Sequence, residues 1–222
     1  MAKKITSLIL KTIVILSATV GVVLQVVEAS AAILYFTIQS NIWICTICIA
    51  GLVLILINKP MRGWMYSLKL VFTVSITLTG VVYCSMLAPF LGDQAYSLSN
   101  TLLHVIVPIA SVADFLVYDS VQYRKWECVT ATIPPFYYLG FAGVGYALNW
   151  QFLDGHNYPY FFLDWGSPAG AFGFASESPY MGVFYYVLIL LAFVIGVGAL
   201  YIFLAKLLYR KQAQKHIQNS NN

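Results

Sequence analysis

Charged side chains are scarce in this chain. Asp, Glu, Lys and Arg make up 9% of its 222 residues, whereas hydrophobic residues make up 60%. A soluble globular domain has roughly 25% charged residues, so this composition excludes an ordinary soluble fold. We therefore expect an integral membrane protein, in which the positions of the few charges carry more information than their formal sum of +4.

The sequence lacks the residue patterns of a disulfide framework, a nucleic-acid interface and a metal site. The four cysteines form no disulfide framework, and the Cys45-x-x-Cys48 spacing falls in an apolar helix pattern, where small packing residues are expected. No basic run is interleaved with aromatics, which argues against a nucleic-acid partner. The histidines His104, His156 and His216 lack the spacing of metal ligands. The sequence thus predicts neither a metal nor another cofactor.

Long apolar runs are what the chain does contain. A helix needs about 20 mainly apolar residues to cross the hydrocarbon core of a bilayer. Six segments approach or reach this length: 8–27, 35–57, 68–91, 102–118, 129–148 and 183–204. The first is too long for a signal peptide, so we expect it to be retained. The pattern predicts an all-α, polytopic protein with a six-helix transmembrane domain over residues 1–210.

The basic residues indicate an orientation for these segments. When successive loops are assigned to opposite sides of the membrane, all 12 Lys and Arg residues fall on one side. This requires Lys11, Lys69 and Lys206 to extend from their helices toward that side. Because basic residues concentrate on the cytoplasmic side, both termini are predicted to be cytoplasmic, in the plasma membrane. The other nine basic residues are Lys3, Lys4, Lys59, Arg62, Arg124, Lys125, Arg210, Lys211 and Lys215.

Three regions outside this pattern have a composition of their own. The connection 149–181 is dense in Trp, Tyr and Phe, which favour the headgroup region, so it is predicted to lie on the outer face and can cap a site there. Pro134 and Pro135 are predicted to permit a kink and close packing in the fifth segment. Residues 211–222 are predicted to form a polar, disordered cytoplasmic tail.

The fourth segment contains two ionisable side chains, His104 near its start and Asp114 deep inside. An ionisable group at membrane depth costs roughly 2.5–3.5 kcal/mol on insertion scales, so it needs a partner or a function. Asp114 lies about 15 Å further along the helix than His104, since each residue adds about 1.5 Å. It is therefore predicted to bond a neighbouring helix or a bridging water rather than to orient His104.

The second segment opens with a polar face. Thr37, Ser40 and Asn41 are spaced i, i+3 and i+4, so they share one side of a helix. In the six-segment topology Thr37 and His104 have similar depths, about 3–5 Å below the outer edge. A hydroxyl beside an imidazole is the minimum of an activated nucleophile. Thr37 bonded to its own backbone and His104 reaching toward the interface are the structural alternatives.

Three short stretches carry a resemblance to a known family. They are Phe36-Thr37-Ile38-Gln39-Ser40-Asn41, Leu103-His104 followed by Pro108, and Tyr158-Pro159-Tyr160-Phe161-Phe162-Leu163-Asp164. They resemble the androgen-induced and androgen-dependent multispan proteins, a family with bacterial members, whose animal members hydrolyse fatty acid esters of hydroxy fatty acids. The resemblance implies Thr37 as nucleophile and His104 as its base, with Tyr158 and Asp164 in the third stretch as supporting residues.

The leading hypothesis is therefore a threonine-dependent lipid ester hydrolase with membrane lipids or a lipid ester as its partner. Asn41 and Ser40 are the nearest candidates to stabilise the oxyanion, and Asp114 is a further supporting residue. A non-catalytic protein that binds lipid or a partner through the aromatic loop stays open. A small transporter is less favoured, because the sequence has no inverted repeat and one clear intramembrane carboxylate. Nothing in the pattern predicts an oligomeric state.

Overall fold

The structure, a computed structural model, describes residues 2–118 and 121–220. Within these residues it is all-α, as predicted, with one isolated β-bridge between Phe174 and Met181. We number the six longest helices in chain order. They are α1 (Ala2–Glu28), α2 (Phe36–Leu56), α3 (Gly63–Val82), α4 (Val107–Tyr118), α5 (Ile133–Ala147) and α6 (Val183–Ser220).

Short helical turns extend α3 and α4 at the ends that approach each other. α3 continues into a π-helical turn, Tyr83–Leu87, and then into Ala88–Leu91. α4 follows the turn Leu98–Thr101 and a second π-helical turn, Leu102–Ile106. Single π-helical turns inside helices are rare and occur often at functional sites. His104 lies in the second of these π-helical turns, and Tyr83 lies in the first.

Five helical stretches of the described residues are long and apolar enough to cross a membrane. They coincide with the first four predicted segments and the last, so a multi-pass helical architecture fits the structure. The predicted fifth segment contains α5, which has 15 residues and is too short to be counted with them. The count of six and the orientation of the termini stay predictions. The five stretches are Lys3–Glu28, Phe36–Leu56, Gly63–Tyr96, Leu98–Val117 and Val183–Lys211.

The fifth segment differs from the single kinked helix that the sequence suggested. It is divided into the short helix Glu127–Thr130 and α5, with a turn at Ala131 and Thr132 between them. Pro134 and Pro135 lie in the first turn of α5. Because first-turn residues have no intrahelical partner for their amide hydrogen, proline starts a helix there without loss.

Two lysines also differ from the prediction. Lys11 and Lys69 do not extend toward the inner surface but are buried, and both bind the carboxylate of Asp114. The Nζ atom of Lys11 lies 2.8 and 2.6 Å from the two carboxylate oxygens, and the Ser7 hydroxyl donates to Oδ1 at 2.6 Å. An unpaired ion in an apolar interior is costly, which favours this arrangement. We call Ser7, Lys11, Lys69 and Asp114 the ion cluster; it links α1, α3 and α4.

The long connection between α5 and α6 has two parts. In the first part Phe152, Phe162 and Leu163 are buried against the helices. In the second part Phe172 and Phe174 are 68% and 72% exposed. The first part thus covers the bundle near the start of α2, while the second projects from it.

The C-terminal region is helical where disorder was predicted. α6 continues through Ser220, because residues 205–220 contain no proline or glycine to stop it and are rich in good helix formers. The prediction for Asn221 and Asn222 lies outside the described residues.

Candidate active site

Thr37 and His104 are in contact. Thr37 lies in the first turn of α2, and His104 lies in the π-helical turn before α4. Oγ1 of Thr37 is 3.3 Å from Nε2 of His104, and the two residues are 8% and 5% exposed. This distance is slightly longer than an ideal hydrogen bond between oxygen and nitrogen. The structure therefore brings together the two residues that the sequence placed at one depth.

The hydrogen bonding of His104 determines which ring nitrogen faces Thr37 as an acceptor. Nδ1 lies 3.0 Å from the backbone carbonyl oxygen of Asn100. A carbonyl only accepts hydrogen bonds, so in the neutral imidazole Nδ1 carries the proton. Nε2 then presents a lone pair to the Thr37 hydroxyl, which donates to it. This is the arrangement required of a general base.

Neighbouring groups fix the orientation of the imidazole. The ring of Tyr83 stacks on it, with centroids 3.7 Å apart and planes inclined by 13°. The hydroxyl of Tyr83 donates to the carbonyl of Ala95 at 2.8 Å, which anchors the stacked ring. Gly80 of α3 allows a close approach, since an added Cβ would lie 2.9 Å from the carbonyl oxygen of His104. The histidine is therefore held from two sides.

Ser40 and Asn41 lie beside Thr37 but point their donors away from the dyad. Asn41 Nδ2 donates to the carbonyl of Thr37 at 2.8 Å and to that of Leu103 at 3.4 Å. The Ser40 hydroxyl donates to the Thr37 carbonyl at 3.1 Å and contacts Thr79 Oγ1 at 2.8 Å. Asn41 thereby connects the start of α2 to the turn that carries His104. Both residues support the geometry of the site rather than facing a bound group.

An apolar cavity of about 80 Å³ opens beside Thr37. Its walls come from α2, α3, α5, α6 and the packed part of the long connection. A separate, open groove of about 550 Å³ between α3 and α4 reaches His104. The dyad thus lies where two apolar spaces approach each other. Among the residues that line the cavity are Phe36, Thr79, Leu139, Tyr160, Phe162 and Leu190.

Three of the predicted supporting residues are elsewhere. Asp114 belongs to the ion cluster and not to the dyad. Asp164 accepts the amide hydrogen of Gly166 at 2.9 Å, which stabilises a turn, and Tyr158 stacks on His156. Neither is among the described residues that line the cavity at Thr37. The third stretch of the family resemblance reaches the site through a different residue.

That residue is Tyr160, which sequence reasoning did not single out. Its hydroxyl oxygen accepts the backbone amide of Thr37 at 3.4 Å, and it lines the same cavity. Tyr160 lies in the Tyr-Pro-Tyr-Phe-Phe stretch of the resemblance, which was a signal for a role at the site. Its position relative to Thr37 could not be predicted, because a residue in a long loop has no depth that follows from helical rise. Tyr83 was missed because no motif marked it.

The start of α2 is surrounded by tyrosines that fasten the long connection to it. Tyr35 contacts Phe152 and Tyr160 edge to face, and its hydroxyl accepts the amide of Leu153 at 3.1 Å. Tyr138 of α5 donates to the carbonyl of Leu34 at 3.1 Å. The connection therefore closes the cavity over the first turn of α2.

The chain was compared with protein-family models, curated proteins and solved structures, and none of the three comparisons found a match.

Proposed function

We propose that the chain is a membrane-embedded lipid ester hydrolase with Thr37 as nucleophile and His104 as general base. The observation that carries the proposal is the 3.3 Å contact between Thr37 Oγ1 and His104 Nε2 beside an apolar cavity, with His104 Nδ1 at the carbonyl of Asn100. A threonine hydroxyl is a weak nucleophile until a base removes its proton. Two polar groups used only for packing would not need to face a cavity.

The reaction follows from these positions. Thr37 Oγ1 adds to the ester carbonyl carbon as its proton passes to His104 Nε2. The resulting tetrahedral adduct expels the alcohol, which takes the proton from Nε2 and leaves the acyl group on Thr37. A water molecule, deprotonated by the same nitrogen, then attacks the acyl carbon. The bond from the acyl carbon to Thr37 Oγ1 then breaks, Oγ1 takes the proton back from Nε2, and the fatty acid leaves, so that both residues return to their starting states.

The surroundings of the dyad favour an uncharged lipid ester as the substrate. The cavity walls are apolar apart from a few hydroxyl groups, and the groove at His104 is also apolar. Thr37 lines the cavity and His104 lines the groove, so the two spaces suit the acyl and alcohol chains of one ester. The resemblance to the androgen-induced family extends this proposal to fatty acid esters of hydroxy fatty acids.

The membrane arrangement belongs to the same proposal. We propose six spans, with α5 as the short fifth, and both termini in the cytoplasm of a cell whose plasma membrane holds the protein. The start of α2 and the long connection would then face outward. The asymmetry of the Lys and Arg residues supports this orientation.

The decisive experiment uses the purified full chain in lipid nanodiscs, a long-chain ester substrate and a fluorophosphonate probe. Wild type is expected to hydrolyse the ester and to carry the probe on Thr37 by mass spectrometry. Thr37→Ala and His104→Ala should each lose about 10²–10⁴-fold in turnover, as expected for a nucleophile and a general base. The double variant should be scarcely worse, because residues acting as one unit are not additive.

Two substitutions serve as matched controls. Thr46→Ala removes the same hydroxyl from an exposed position of α2, where it donates to the carbonyl of Ile42 in its own helix at 2.8 Å. His156→Ala removes a histidine from the long connection. Both should retain wild-type turnover. Wild-type turnover in folded Thr37→Ala would overturn the proposal and favour a protein that binds lipid without chemistry.

A further inference from the structure

The dyad needs a donor for the oxyanion, and the donors expected from the sequence are occupied. When a hydroxyl adds to an ester, negative charge develops on the carbonyl oxygen, and preorganised donors stabilise it. Asn41 Nδ2 is bonded to the carbonyls of Thr37 and Leu103, and Ser40 is bonded to the Thr37 carbonyl. Their hydrogens therefore do not point into the cavity where the ester would lie. Another group must serve.

Tyr160 has the right position. Its hydroxyl oxygen accepts the amide hydrogen of Thr37 at 3.4 Å and also interacts with the Thr37 hydroxyl. Tyr160 and Thr37 line the same cavity, so a carbonyl carbon at Thr37 Oγ1 would place its oxygen near the phenol. The first turn of α2 adds a favourable field, because the amides of a helix N-terminus carry partial positive charge.

The phenol ring is held rigidly enough to act as a preorganised donor. It lies parallel to Phe162, with centroids 5.1 Å apart and planes inclined by 4°. Tyr35 contacts it edge to face at 5.4 Å, and Tyr138 is tilted against it at 6.1 Å. Burial raises the pKa of the Tyr160 hydroxyl, which therefore keeps its proton at neutral pH.

We propose that Tyr160 is a catalytic residue whose hydroxyl donates a hydrogen bond to the oxyanion. This inference rests on the proposed hydrolase function. As Thr37 Oγ1 bonds to the carbonyl carbon, the electron pair of the C=O double bond moves to its oxygen, and the Thr37 proton goes to His104. Tyr160 keeps its own proton throughout. The charge disperses when the double bond re-forms and the alcohol leaves.

The test compares Tyr160→Phe with wild type in nanodiscs, because this change keeps the ring and removes only the donor. Turnover should fall about 10²–10³-fold with little change in KM, as for loss of one oxyanion donor. The shape of the pH profile should not change, since the base is still His104. Binding of a long-chain trifluoromethyl ketone, which forms a tetrahedral adduct, should weaken in parallel. A non-cleavable ether analogue of the substrate should bind as before.

Tyr201→Phe is the matched control. It removes another buried phenol hydroxyl, which contacts Thr77 at 2.9 Å, and Tyr201 is not among the described residues that line the cavity at Thr37. It should leave turnover and ketone binding unchanged. A second variant guards against misfolding: a ring-fluorinated tyrosine at position 160 keeps the hydroxyl and alters its acidity. This variant should change turnover without changing the melting temperature.

The outcomes separate this inference from the hydrolase proposal. The role of Tyr160 alone would be overturned if wild type is active and Tyr160→Phe keeps full turnover. It would also be overturned if Tyr160→Phe binds the ketone and the ether analogue equally weakly compared with wild type. Unchanged turnover in the fluorinated variant would do the same. A wild type that neither hydrolyses the ester nor forms the ketone adduct would overturn both.

Discussion

The dyad and the ion cluster are both polar and buried, yet they are bonded very differently. In the ion cluster, each oxygen of the Asp114 carboxylate accepts from two donors, which come from Ser7, Lys11 and Lys69. In the dyad one longer contact of 3.3 Å joins two side chains beside a cavity. Fully satisfied polar groups hold helices together, whereas a loosely bonded pair next to open space remains available for chemistry.

Both centres contact α3 and the helical stretch that ends in α4, but at different positions along them. Along α3 and α4, Lys69 meets Asp114 near one end, and Gly80 meets the His104 turn near the other. Ile76 and Val107 lie between these contacts and are fully buried. His104 and Asp114 are about 15 Å apart by helical rise, and side chains at such a separation usually affect stability independently. Each centre can therefore be altered with the other as its control.

The largest effect is expected from Asp114→Ala. The change leaves the ammonium groups of Lys11 and Lys69 without their carboxylate, and breaking a buried pair costs about 3–5 kcal/mol. The free energy of unfolding, measured by reversible denaturation in detergent, should fall by about this amount. Turnover per folded molecule should stay close to wild type.

Asp93→Ala provides the comparison for that experiment. Asp93 is exposed, so its removal should change stability by no more than about 0.5 kcal/mol. If Asp114→Ala were as stable as Asp93→Ala, the ion cluster would not link the three helices. If it kept its stability but lost hydrolysis, the two centres would not be independent.

The depth of a residue along its helix could have predicted two contacts, the dyad and the ion cluster, but it was used only for the dyad. Thr37 and His104 were matched because each lies two or three residues inside its predicted segment. Lys11, Lys69 and Asp114 all lie within about four residues of the inner ends of theirs, so the same argument would have joined them. The prediction instead extended both lysines toward the inner surface, since a flexible lysine near a helix end reaches water easily. Asp114 had no assigned partner in the sequence prediction, and the cost of an unpaired carboxylate at membrane depth was the signal that favoured pairing with the lysines.

Features outside the long helices were harder to predict. Tyr160 reaches Thr37 from a connection with no repeating pattern, so its depth does not follow from its number. Tyr83 meets His104 because two π-helical turns face each other, and local sequence gives little sign of such turns. The break before α5 was marked by Pro134 and Pro135, which are equally compatible with a kink or a helix start.

A smaller effect is expected from Gly80→Ala, which acts on the dyad through packing. The new Cβ would lie 2.9 Å from the His104 carbonyl oxygen and 3.1 Å from Pro108 Cγ, so the turn must move. Small displacements of a catalytic group are costly, and kcat/KM should fall about tenfold. Gly140→Ala in α5 adds a Cβ that meets nothing within 4 Å and should leave kcat/KM unchanged. Equal activity in the two variants would mean that the close approach does not position His104.

The smallest effect is expected from Tyr83→Phe, which distinguishes the ring of Tyr83 from its hydroxyl. The ring face contacts His104, while the hydroxyl is bonded to Ala95, away from the imidazole. Losing that one hydrogen bond should cost about 1 kcal/mol of stability, because the stacked ring remains. Turnover should therefore stay within about threefold of wild type. Tyr83→Leu removes the ring face and should lower kcat further while leaving KM largely unchanged. If Tyr83→Phe instead lost as much turnover as His104→Ala, the phenol hydroxyl would belong to the reacting groups and the assignment of His104 as the sole base would fail.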